Sequence, residues 1–62
     1  MSRYDYQLSI KLSYYPFYAL VMAAMRNADT DNLEALKRVF PATWREFEAR
    51  YNAGGGYLPG EE

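Results

Sequence analysis

Arg50, Tyr51 and Asn52 stand together just before the three glycines Gly54–Gly56, and Arg26 and Asn27 stand just before the corner ADTDN. These residue types suit ligand binding. An arginine guanidinium forks phosphate or carboxylate bidentately. A tyrosine ring stacks on a base, and Asn and Asp hydrogen-bond sugar hydroxyls or a base edge. Glycine lets the backbone approach a ligand closely. The candidate set is therefore Arg26 and Arg50 for phosphate, Tyr51, Tyr18 and Tyr57 for stacking, and Asp29, Asn32 and Asn52 for sugar or base. Such a set would suit a nucleotide-like ligand in a cleft between subunits. A purely structural reading competes with it, in which both arginines simply complement the negative ends of their helices.

Catalytic chemistry is poorly supplied. The chain has no histidine and no cysteine, so a His base, a Cys nucleophile and a zinc site of the usual His/Cys type are all missing. Asp29 and Asp31 could do acid/base work as paired carboxylates. Helix capping accounts for every residue of DTDN more simply. The same D-x-D spacing opens a calcium loop, but Leu33 occupies the next ligand position and no glycine follows. No enzyme activity, metal or cofactor is expected.

The elements that position these residues are legible from spacing. Phe17, Leu20, Val21, Ala24 and Met25 follow the i, i+3, i+4, i+7, i+8 pattern of an amphipathic helix. That helix should run from about Pro16 to Asn27, with Pro16 at its first position. Asp29, Thr30 and Asp31 are all good N-caps, and Glu34 completes a capping box with Asp31. The next helix is expected from about Asn32 to Phe40, burying Leu33, Leu36 and Phe40 beside Val39. Pro41 restarts the chain. Trp44, Phe47 and Tyr51 then mark a helix over Pro41–Asn52, with Glu46 and Arg50 as an i, i+4 pair. The tail GGGYLPGEE cannot hold a helix cheaply. It reads as a partly ordered terminus or, given Tyr57, Leu58 and Pro59, as a latch that docks on a partner subunit or closes over a ligand.

YDYQLSIKLSY, residues 4–14, alternates apolar and polar positions as a half-buried strand does. On a helical wheel the same residues form two nearly opposite stripes, Tyr4–Leu8–Leu12 and Tyr6–Ile10–Tyr14. Ser2 and Asp5 add a capping box at the start. A strand would have to pair with a copy of itself, because no second strand exists in the chain. The helix is the favoured reading, and both readings imply self-association.

Composition sets the frame. A chain of 62 residues makes one small domain of marginal stability. Without disulfides or metal, oligomerisation is the remedy that remains. Seven tyrosines, three phenylalanines and one tryptophan exceed what so small a core can hide, so part of this aromatic surface should meet a partner. The net charge of −1 argues against a nucleic-acid binder, although Lys37, Arg38, Arg45 and Arg50 could form a local basic patch. The longest apolar run, Tyr14–Met25, contains Pro16 and is too short for a bilayer. No signal peptide is visible. The expectation is an all-α bundle of three to four short helices over residues 1–53, with a Gly-rich tail over 54–62, assembled as a homo-oligomer in the cytoplasm.

PFYALVMAAMRNADTDN, followed by FPATW and RYNAGGGYLPGEE, resembles a group of very short proteins of phages and prophages of Gram-positive bacteria. The resemblance covers roughly residues 16–62; the N-terminal stretch matches less clearly. It implies an accessory viral protein acting in the bacterial cytoplasm. Many proteins of that kind are similar in size to inhibitors of host defence. Some bind a defence protein. Others are oligomeric sponges that sequester a nucleotide second messenger, such as a cyclic ADP-ribose or a cyclic oligonucleotide.

Overall fold

The computed structural model describes residues 1–58, 60 and 61. Among these the chain is all-helical. Four helices follow one another: α1 (Arg3–Leu12), α2 (Phe17–Asn27), α3 (Thr30–Val39) and α4 (Pro41–Asn52). A single 3₁₀ turn at Gly54–Gly56 comes after them. Among the described residues, no helix is long and apolar enough to cross a membrane.

The alternating stretch is thus a helix. Its N-terminus carries the expected reciprocal capping box, with the Ser2 hydroxyl accepting from the Asp5 amide and the Asp5 carboxylate accepting from the Ser2 amide. Three expected boundaries shift slightly, one of them the end of α3, which stops at Val39 with Phe40 as its C-cap. Pro16 is the extended N-cap of α2 and not its first helical residue. Helix α3 begins at Thr30 because the Asp29 side chain, rather than that of Asp31, accepts from the Asn32 amide at 3.2 Å. Asp31 then lies in the first turn, where a negative charge complements the helix dipole.

Helix α4 organises the body, packing against both α2 and α3. The core consists of Val21, Met25 and Phe47. Met22, Leu33, Leu36, Phe40 and Trp44 are half-buried around it. Phe40 alone joins α3 to α4, ending one helix and preceding the other, and its ring meets Phe17 edge-on at 6.0 Å. The expected α2 face is narrower than its spacing suggests: Phe17 and Ala24 are exposed, as are Val39 on α3 and Tyr51 on α4. The reason is that α2 and α3 are each covered mainly by α4, so only the residues facing it leave water.

Helix α1 joins this core at no point. It buries none of its residues, and Tyr4, Tyr6, Leu8, Ile10 and Leu12 are exposed, as is Tyr14 just beyond it. The molecule is correspondingly long, 42 × 26 × 17 Å, with a radius of gyration of 13.3 Å against about 11 Å for a compact chain of this length.

Candidate functional site

The eight candidate residues fall in four places. Arg26 from α2 and Tyr51 and Asn52 from the end of α4 line one groove of about 390 Å³, together with Met25, Leu33, Trp44, Phe47 and Glu48. Asp29 and Asn32 line another, of about 680 Å³, between the end of α2 and α3; its remaining walls are chiefly alanines, Leu36, Val39 and Phe40. Tyr18 borders a smaller depression of about 210 Å³ with Met22 and Glu46. Arg50 and Tyr57 belong to the C-terminal turn.

Within the first groove, the Arg26 guanidinium lies 5.2 Å from the Phe47 ring centre and 5.5 Å from that of Tyr51. Both are cation–π distances. Helical spacing explains the meeting. Arg26 follows the core residue Met25 and so sits at the edge of the α2–α4 seam, while Phe47 and Tyr51 stack one turn apart on α4. Among the described residues, Arg26 pairs with no carboxylate. Its charge is therefore offset by the negative end of α2, by aromatic faces and by solvent.

Arg50 is in the opposite condition. Its Nε donates to Glu46 Oε2 at 3.0 Å, its Nη1 donates to Glu61 Oε1 at 2.7 Å and to the Gly56 carbonyl at 3.0 Å, and its Nη2 donates to Glu61 Oε2 at 2.6 Å. Glu61 Oε1 also accepts from the Leu58 amide at 2.9 Å. The guanidinium is thus gripped bidentately by one carboxylate and flanked by a second. The Glu61 carboxyl titrates below the usual range, first because of its bonds with Arg50 and then because of the Leu58 amide. The same bonds hold the Arg50 guanidinium even more firmly protonated. Gly55 and Gly56 make the turn possible, at φ 69° and 77°, a left-handed region that glycine enters without penalty. The tail thus closes on α4 of its own chain; Pro59 of the expected latch lies outside the described residues.

No protein family, curated relative or solved structure matches this chain.

Two of the four residues of the basic patch weighed for nucleic acid are engaged within the chain. Lys37 pairs with Glu34 at 3.4 Å and lies 4.9 Å from the Trp44 ring centre, and Arg50 is engaged as described. Asp29 is engaged too, as the cap of α3. The apolar flank of α1, none of it among the charged and hydrogen-bonding candidates, is left exposed; it is legible in the sequence as the two stripes of YDYQLSIKLSY.

Proposed function

We propose that this is a non-enzymatic binding protein that works through α1, pressing the apolar flank of that helix against protein. It is an accessory protein of the short phage type, acting in the bacterial cytoplasm by occupying a host defence or replication enzyme. One observation carries the reading: α1 is a capped helix that buries none of its own residues while exposing two tyrosines, two leucines and an isoleucine. A ten-residue helix is marginal by itself in water. Exposed apolar surface of this extent marks an interaction site, and tyrosine is among the residues that dominate interfaces. The face Tyr6–Ile10–Tyr14, with Tyr14 89% exposed, is the one assigned to the host protein.

The test is retention of a host protein at one-to-one stoichiometry by the tagged full chain. Ile10→Asp should abolish retention and Arg26→Ala should leave it unchanged. Retention that survives Ile10→Asp, or no stoichiometric host protein at all, would refute the reading.

A second reading keeps the nucleotide ligand. Arg26, Tyr51 and Asn52 meet in one groove, and its roughly 390 Å³ lies within the usual range for small-molecule sites. Here the oligomer sequesters a nucleotide-type immune messenger, with Arg26 as the phosphate anchor. Calorimetric titration with ADP-ribose and with a cyclic dinucleotide decides it. Binding of either that falls at least tenfold in Arg26→Ala supports this reading, and no heat with either ligand refutes it.

A further inference from the structure

The stripe Tyr4–Leu8–Leu12 does not stop at the end of α1. Leu12 also lines an almost wholly apolar groove of about 230 Å³, whose other walls are Tyr15, Ala19, Leu20 and Ala23. The stripe therefore runs from the first turn of α1 on to the flank of α2. We infer that this continuous surface is covered by a second copy of the chain, the two α1 helices pairing antiparallel about a two-fold axis at Leu8, so that Tyr4 of each copy enters the groove beside Leu12 of the other.

Three observations support a second copy as the occupant. First, the stripe is symmetric about Leu8, with one apolar residue four positions to either side. An isologous contact needs a surface that complements itself in this way. Second, a compact monomer of 7.2 kDa exposes about 4,100 Å², whereas this chain exposes 5359 Å². The excess, roughly 1,200 Å², exceeds the about 800 Å² that each partner contributes to a standard interface. Third, the helix ends agree with the direction. An antiparallel pair sets the positive N-terminal end of each α1 dipole level with the negative C-terminal end of the other, whereas a parallel pair sets like ends together.

This inference rests on α1 as the working surface and divides its two faces: Tyr4–Leu8–Leu12 for the copy, Tyr6–Ile10–Tyr14 for the host protein. The test is sedimentation equilibrium of the full chain, joined to cysteine cross-linking in a protein that has no native cysteine. Wild type should sediment as a dimer. Leu8→Asp places two carboxylates on the two-fold axis, where like charges cost several kcal/mol, and should weaken the dimer more than about a hundredfold. Because α1 contributes nothing to the core, α2–α4 should remain helical in that variant. Leu8→Cys should oxidise to a disulfide-linked dimer, and Ile10→Cys should not. A monomeric wild type, a Leu8→Asp dimer of unchanged affinity, or cross-linking through residue 10 in place of residue 8 would each overturn the pairing. The failures are separable: a monomer that still retains a host protein defeats the pairing alone, and a dimer that retains none defeats the host-binding reading alone.

Discussion

Phe47→Ala leaves most molecules unfolded at room temperature. Phe47 is one of three buried side chains among the described residues. It supplies the core from α4, meets the tilted rings of Trp44 at 5.8 Å and Tyr51 at 6.0 Å, and carries the Arg26 guanidinium on its face. Removing a buried phenylalanine costs about 3–5 kcal/mol in transfer and cavity terms. A domain of 62 residues holds only about 3–9 kcal/mol in all, so the loss is comparable with the whole. Thermal melts followed by circular dichroism should show no cooperative transition in Phe47→Ala. Phe47→Leu keeps most of the volume and should melt cooperatively, at a lower temperature than wild type. A Phe47→Ala protein that melts within a few degrees of wild type would mean that the core lies elsewhere.

Acid should open the C-terminal clasp without unfolding the body. Glu61 grips Arg50 at 2.6 and 2.7 Å, and its folded-state pKa lies below the unfolded value. The contribution of the pair is therefore fully present above the ordinary glutamate range, about pH 4.3, and is lost as pH falls through the depressed folded value. Arg50 stays charged throughout, so Glu61 alone sets the transition. The Leu58 amide, which donates to the same carboxylate, reports it directly. Its proton resonance should move upfield as Glu61 protonates, and in Arg50→Ala it should already sit at the open position at neutral pH. An exposed pair adds little to global stability, so the melting temperature should change far less than in Phe47→Ala. A Leu58 resonance indifferent to both pH and Arg50→Ala would show that the tail is not held there.

Much of this architecture was written into the sequence in local terms. Pro41 and Asn52 bound α4 as the proline and the glycines beyond dictate, and Ser2 with Asp5 starts α1. These are short-range rules, in which one side chain satisfies a backbone group three residues away. The shift at the start of α3 has the same local origin: at ADTDN three residues compete to cap one helix, and spacing alone does not rank Asp29 over Asp31. What spacing could not convey is which apolar residues are covered. Phe17 and Val39 fit their helical faces but remain exposed, because coverage depends on where α4 lies. The candidate site was legible in part for the same reason. Arg26, Tyr51 and Asn52 converge because α2 and α4 pack, whereas Asp29 and Asn32 border a different groove. Arg50 looked available for phosphate because its partner Glu61 stands eleven residues away, across a glycine turn whose path no periodicity encodes.

The central claim is that α1 exists to be covered, and its amide hydrogen exchange measured against protein concentration tests this most directly. A lone helix of this length exchanges almost freely. As the concentration rises from about 1 µM to 1 mM, a range in which weak to moderate self-association becomes populated, the amides of Tyr6–Leu12 should become protected, while those of α4 hold a constant value. Leu8→Asp should keep α1 unprotected at every concentration. Protection of α1 that is the same at all concentrations in wild type and Leu8→Asp alike would contradict the claim.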